Sequence, residues 1–105
     1  MKSELNELDA HLNVACEEWL ASLALPRGDR RVSAMSRTFP RLLQLVGEPD
    51  GPGTELQWAA RRAIGAVVAF ASSETSQETE RAQWMAEKLN DLRAALDLNR
   101  HDLEL

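Results

Sequence analysis

The chain has 105 residues and a formal net charge of −5, with 44% hydrophobic and 28% charged residues. This length suits one domain with one modest core, and the mixture is typical of a globular protein and not of a disordered one. The acidic balance argues against a strongly basic nucleic-acid or membrane-surface protein. A single cysteine excludes an internal disulfide framework and a cysteine-rich zinc site. We therefore expect one helical domain over residues 1–105.

The start of the chain is polar and acidic, which is not the pattern of a secretory signal. The longest apolar run covers nine residues at 63–71, whereas a membrane span needs about 20. We therefore expect a cytoplasmic protein without a membrane partner, and the lone Cys16 agrees with that compartment. Ten arginines against two lysines, with many alanines and leucines, are typical of a GC-rich bacterial genome.

The first half of the chain predicts two amphipathic segments, at 3–25 and 29–46. In each, apolar residues recur at spacings of three and four, which places them on one helix face. Pro26 and Gly28 end the first segment. Pro40 lacks a backbone donor, so the second segment is expected to kink or break there, with Ser36 or Thr38 capping a second short helix. The two apolar stripes are Leu5, Leu8, Leu12, Ala15, Trp19 and Leu23, and then Val32, Met35, Phe39, Leu42, Leu43 and Val46.

Residues 47–53 contain three glycines and two prolines and predict an exposed connector. Because the entropy of a loop grows slowly with its length, we expect this connector to tolerate the insertion of a few glycines. Thr54 and Gln57 then match a capping box, which predicts the start of a helix. That helix is apolar or small over most of its surface, a pattern typical of the central helix of a bundle.

The last part of the chain predicts either one long helix at 54–98 or two helices with a break near 73–76. Thr75 and Glu78 form a second capping-box match, and typical helix lengths favour the break. The final helix carries a narrow apolar seam at Ala82, Met85, Leu89, Leu92 and Leu96. No segment alternates apolar and polar residues over the length of a strand. The predicted fold class is therefore all-α, a small bundle of four or five helices.

Few residues in the sequence have the spacing of a catalytic or metal site. The two histidines and the cysteine are not spaced as zinc ligands, and no catalytic triad is visible. Glu4 with Glu7, and Glu87 with Asp91, have the spacing of the carboxylate pairs that hold metals in nucleotide pyrophosphohydrolases. However, one pair lies at a helix start and the other on a solvated face, whereas a metal pair projects inward. We therefore expect no enzyme, no cofactor and no metal, with a carboxylate–metal hydrolase as the third hypothesis.

Residues 27–41 form a short basic segment between two acidic helices. It holds one aspartate and five arginines: Arg27, Arg30, Arg31, Arg37 and Arg41. These arginines either pair with the neighbouring acidic helices or bind an anionic partner. A helix-turn-helix is the obvious nucleic-acid form of the second interpretation, but Pro40 and Gly47 leave no clean second helix. A nucleic-acid partner is therefore not expected, and a DNA-binding regulator remains the alternative.

The tryptophans are the other informative residues. Trp19 lies on an apolar stripe, whereas Trp58 and Trp84 lie off the stripes of their helices. Arg62 follows Trp58 by four residues, a spacing that allows a cation–π contact. Either both off-stripe tryptophans are half covered at the edges of the bundle, or they belong to an interface, where Trp and Arg are enriched. The candidate partner-binding residues are Trp58, Arg62, Trp84, Arg30, Arg31 and Arg37.

Taken together, these patterns predict a small protein–protein interaction module. Its expected form is a regulator, such as an antiactivator that sequesters a transcription factor, or an adaptor or chaperone. We also expect a homodimer, because the 82–96 seam and the off-stripe Trp58 and Trp84 present more apolar surface than a small bundle covers.

Overall fold

The structure, a computed structural model, describes residues 2–26, 28–48 and 50–104, and the side chains of 7–26, 28–48 and 50–99. The fold is 81% helical and has no strand among the described residues, which confirms the all-α prediction. Over the same residues, no helix combines the length and hydrophobicity needed to cross a membrane. The helices are α1 (Lys2–Ser22), α2 (Asp29–Ser36), α3 (Phe39–Val46), α4 (Glu55–Ala71) and α5 (Glu78–Glu104), with a short 3₁₀ helix at Thr75–Gln77.

The chain divides into two compact units, Met1–Leu45 and Val46–Leu105. The first unit contains α1, α2 and all of α3 except its last residue, and α1 packs on α2. The second unit contains α4 and α5, which pack on each other. Whether the chain is a single domain stays a prediction.

In the first unit, four residues of the predicted α1 stripe are buried, namely Leu8, Leu12, Ala15 and Trp19. Leu23 is half-buried beyond the end of α1, and the side chain of Leu5 lies outside the described residues. The Trp19 indole is fully buried, its Nε1 donates to the backbone carbonyl of Met35 at 2.9 Å, and its ring meets Phe39 edge-on at 6.1 Å. An indole N–H finds a partner when it is buried, and here that partner comes from a different helix. The buried apolar residues of this unit are Leu8, Leu12, Ala15, Cys16, Trp19, Met35 and Leu42.

The predicted break at Pro40 is confirmed, since α2 ends at Ser36 and α3 begins at Phe39. Pro40 lies in the first turn of α3, where a missing N–H costs no intrahelical bond. The predicted caps are wrong. Ser36 Oγ contacts the carbonyl of Ser33 at 3.4 Å, and the buried hydroxyl of Thr38 has no hydrogen-bond partner within the described residues.

The predicted stripe of the second segment is only partly correct. Met35, Leu42 and Val46 are buried, but Val32 and Leu43 are 42% and 55% exposed. A three-and-four spacing defines one face only while the helix is continuous. Because the chain turns at residues 37 and 38, α2 and α3 present their faces independently.

In the second unit, α4 begins with the predicted capping box. Thr54 Oγ1 accepts from the Gln57 N–H at 3.2 Å, and Gln57 Oε1 accepts from the Thr54 N–H at 2.9 Å. This exchange satisfies two backbone donors that the first turn would otherwise leave unpaired. The buried residues of α4 are Leu56, Ala59, Ala60, Ala63, Ile64, Ala66, Val67 and Phe70.

The predicted break between α4 and α5 is confirmed, because α4 ends at Ala71 and the 3₁₀ helix separates it from α5. Gln77 Oε1 accepts from the Glu74 N–H at 3.2 Å, so this side-chain bond lies one residue before the predicted Thr75–Glu78 box. The predicted α5 seam is buried at Met85, Leu89, Leu92 and Leu96, and its first residue, Ala82, is half-buried. The seam is thus covered within the chain and no longer counts as surplus apolar surface.

Candidate functional site

A groove lies between α4 and α5, with a volume of about 320 Å³. Its lining places the start of α4 beside the second half of α5, so the two helices run antiparallel. Trp58 and Arg62 both line this groove, which brings two of the predicted site residues together. The lining residues are Glu55, Trp58, Ala59 and Arg62 from α4, and Asp91, Ala94, Ala95 and Leu98 from α5.

The groove combines apolar surface with charged groups. The small side chains of Ala59, Ala94 and Ala95 leave the space open, while Trp58 and the 61% exposed Leu98 supply large apolar surfaces. Arg62 is exposed, and its guanidinium has no hydrogen bond or ion pair with the described residues. Such a groove suits a large apolar side chain of another polypeptide, because interface anchors fill apolar pockets that polar groups surround.

A second hollow, where the 3₁₀ helix meets the start of α5, contains Trp84. Trp84 is 41% exposed and lines this hollow with Gln77, Glu80 and Arg81. Arg81 Nη1 donates to the Ala69 carbonyl at 2.8 Å, which fixes the start of α5 against the end of α4. Trp84 lies eleven residues before Ala95, about 16 Å along the helix. We call the surface that holds both hollows the α4–α5 face.

Arg61 organises the connector that precedes α4. Its Nε donates to the Val46 carbonyl at 2.7 Å, Nη1 to the Gly51 carbonyl at 2.8 Å and Nη2 to the Pro52 carbonyl at 3.0 Å. The same guanidinium lies 4.7 Å from the centroid of the Trp58 ring. We call this set of bonds the Arg61 clamp. A guanidinium offers five donors in a fixed fork, which is why one side chain can hold three carbonyls.

Sequence reasoning missed the Arg61 clamp. It paired Trp58 with Arg62, whereas the cation–π contact described here comes from Arg61, three residues along the helix. Both spacings lie on one helix face, so spacing alone does not choose between them. The available signal is the connector itself, since a segment rich in Gly and Pro leaves carbonyls that no helix or strand bonds.

The basic segment is distributed over different environments. Arg30 is exposed, whereas Arg31 is only 3% exposed and its guanidinium is not available to a partner in this conformation. Arg27 lies outside the described residues. The burial of Arg31 removes it from the candidate contact surface.

The two remaining arginines of this segment face carboxylates of α1. Arg41 Nε donates to Glu7 Oε1 at 2.8 Å, and its Nη2 reaches the same oxygen. Arg37 Nη1 lies 3.9 Å from Glu18 Oε1, and the Arg37 side chain remains largely exposed. Both contacts favour internal charge compensation over an anionic partner, although exposed pairs of this kind contribute at most about 1 kcal/mol.

The carboxylates do not gather into a metal centre within the described side chains, where no group of three His, Cys, Asp or Glu residues is placed to hold an ion. Asp91 lies 3.6 Å from Lys88 Nζ, one turn along α5, and Glu87 is exposed. The side chains of Glu4 and His101 lie outside the described residues.

No protein-family model, curated protein or solved structure matches the chain.

Proposed function

We propose that the chain is a protein–protein interaction module that binds another polypeptide through the α4–α5 face. The observation that carries this proposal is the juxtaposition of two hollows on one helix pair, one holding Trp58 and Arg62 and the other Trp84. Tryptophan and arginine are among the side chains enriched in the residues that dominate binding energy. Such a module would be a small regulator or adaptor that acts by binding its partner protein.

The DNA-binding alternative is less well supported by the same geometry. Of the arginines of the basic segment, Arg31 is buried and Arg37 and Arg41 face carboxylates. Phosphate recognition needs several cations that are free to displace counterions. A carboxylate–metal hydrolase has no supporting cluster among the described side chains.

The test compares Trp84→Ala with Trp19→Ala in the full chain. Trp84 is exposed and Trp19 is fully buried, so only Trp19→Ala should lower the free energy of unfolding, by about 3–5 kcal/mol. Trp84→Ala should instead weaken association with a bound polypeptide by about 2 kcal/mol or more, roughly thirtyfold. Binding is measured by affinity co-purification from the source cell, followed by titration of the recovered protein.

Two results would overturn the proposal. The first is a Trp84→Ala chain that unfolds as readily as Trp19→Ala, which would make Trp84 part of the core. The second is association that survives Trp84→Ala unchanged. DNA binding with a steep dependence on salt would support the DNA-binding alternative, and a thermal shift with Mg²⁺ or Mn²⁺ would support the hydrolase.

A further inference from the structure

Four residues of α5 form a stripe on the α4–α5 face. Trp84, Lys88, Asp91 and Ala95 are separated by four, three and four residues, which places them on one side of the helix. Trp84 and Asp91 are exposed, and Lys88 and Ala95 are half-buried. Trp84 lies in one hollow and Ala95 lines the other. The stripe therefore connects the two hollows.

The spacing of this stripe, four, three and four residues, is the same in both directions along the helix. A second α5 laid antiparallel on the first therefore brings Trp84 opposite Ala95 and Lys88 opposite Asp91, each pair occurring twice. This is the arrangement that a two-fold axis produces, since residue i then meets residue j and residue j meets residue i.

The shapes of the two hollows are complementary in this arrangement. The 320 Å³ groove has alanines at 59, 94 and 95 and therefore has room for a bulky ring beside Trp58. Trp84 projects an indole that its own helix pair leaves 41% exposed. Seating it in the groove of a second copy would cover Trp84, Leu98 and Trp58 together. Aromatic rings of this size contribute strongly to interfaces when they are buried.

The charges are complementary in the same register. Lys88 Nζ lies 3.6 Å from Asp91 Oδ2 of the same helix. An antiparallel copy places Asp91 of the second copy near Lys88 and Lys88 of the second copy near Asp91. Four charges then alternate in sign around the two-fold axis, an arrangement that fixes the register of an interface more than it adds affinity.

On these grounds we infer that the occupant of the α4–α5 face is a second copy of this chain, bound antiparallel about a two-fold axis with Trp84 of each copy in the groove of the other. This inference rests on the proposed function and specifies its partner. The matched shapes and the alternating charges support it independently, since either could exist without the other.

The test uses charge reversal at the centre of the stripe. Lys88→Asp gives a chain whose two central stripe residues are both acidic, and Asp91→Lys gives one whose two central stripe residues are both basic. Each variant alone should dimerise more than about tenfold more weakly than the natural chain, because like charges then meet across the axis. An equimolar mixture should form a heterodimer, since the acidic pair of one variant then faces the basic pair of the other.

The assay is sedimentation velocity with one variant fluorescently labelled, at concentrations where the natural chain is dimeric. Arg93→Asp and Asp97→Lys serve as matched controls, because they change the charge equally at exposed positions of α5 outside the stripe. Neither control should alter self-association more than about twofold, and mixing the two controls should not strengthen association. Circular dichroism of each variant checks that α5 is still helical.

Two outcomes overturn the inference. One is a natural chain that stays monomeric at all accessible concentrations, and the other is a mixture of the two stripe variants that associates no better than either alone. If mixing the two variants restores association, the cause is not an unfolded variant. Nor is it the Lys88–Asp91 pair within one helix, because mixing repairs neither. A monomeric chain that still binds another protein through Trp84 would reject the second copy and leave the interaction module standing. A dimer that forms equally well after Trp84→Ala would reject both the second copy in the groove and the proposed interaction module.

Discussion

The Trp19 indole donates its N–H to the backbone carbonyl of Met35, joining α1 to the end of α2 through one buried bond of 2.9 Å. The ring also meets Phe39 at the start of α3. One side chain thus touches all three helices of the first unit. Removing this side chain should therefore affect both the packing of the core and the hydrogen bonding of the Met35 carbonyl.

Trp19→Phe should separate these two contributions. Phenylalanine retains most of the apolar ring but leaves the Met35 carbonyl without its donor. A buried acceptor that loses its partner costs about 1–3 kcal/mol, so the midpoint of urea unfolding should fall, though less than for Trp19→Ala. An unchanged midpoint for Trp19→Phe would show that the Met35 carbonyl does not depend on the indole.

The Arg61 clamp can be tested against its neighbour in the sequence. Arg61→Gln removes the charged donors that hold three carbonyls and should lower the free energy of unfolding by about 2 kcal/mol or more. Arg62→Gln is the matched control, since Arg62 is exposed and makes no hydrogen bond or ion pair with the described residues. Equal effects of the two substitutions on urea unfolding would contradict the clamp.

The same clamp changes what should follow from lengthening the connector. Loop entropy alone predicts that two glycines inserted after Asp50 cost under about 1 kcal/mol. The clamp predicts a larger loss, because the inserted residues separate the Val46 carbonyl from those of Gly51 and Pro52. In the Arg61→Gln background the insertion should cost little. A double-mutant cycle in urea checks this, and strict additivity of the two changes would refute the coupling.

Two glycines should respond in opposite ways to a methyl group. Gly65 is exposed inside α4 with open space around the position of an added Cβ, so Gly65→Ala should stabilise the chain by about 0.5–1 kcal/mol. Gly47 has φ +76°, and its added Cβ would come within 2.9 Å of Arg61 Nη2. Gly47→Ala should therefore destabilise the chain by about 1–2 kcal/mol or more. Thermal melting of both variants measures the difference, and a shift of the same sign in both would contradict this account.

Much of the local structure could be predicted from the sequence. Trp19 lies on a regular stripe, Pro40 interrupts a helix, and Thr54 with Gln57 starts one; each depends on residues close together in the chain, where spacing determines geometry. The same reasoning placed Trp58 and Trp84 off the stripes, and the structure finds Trp84 exposed and Trp58 half-buried.

The errors arose where tertiary packing decides. Val32 and Leu43 belong to a stripe in the sequence, yet the turn at residues 37 and 38 leaves both exposed, and Arg31 is buried instead. Arg61 and Arg62 are adjacent residues of the same type, and only the path of the connector determines which one lies beside its carbonyls. Helical spacing predicts neither the turn at residues 37 and 38 nor the path of the connector.

The Arg61 clamp also bears on the order in which this region opens. The bond from Arg61 Nε to the Val46 carbonyl joins residues 15 apart in the sequence, and it closes a ring that contains the whole connector and the first turns of α4. Arg61 is positioned only while those turns are helical, so fraying of α4 from its N-terminus releases the connector in the same event. Amide protons of the connector and of the first turns of α4 should then exchange with solvent as one cooperative unit. In that sense the connector, although it has no regular structure of its own, shares the stability of the helix that follows it.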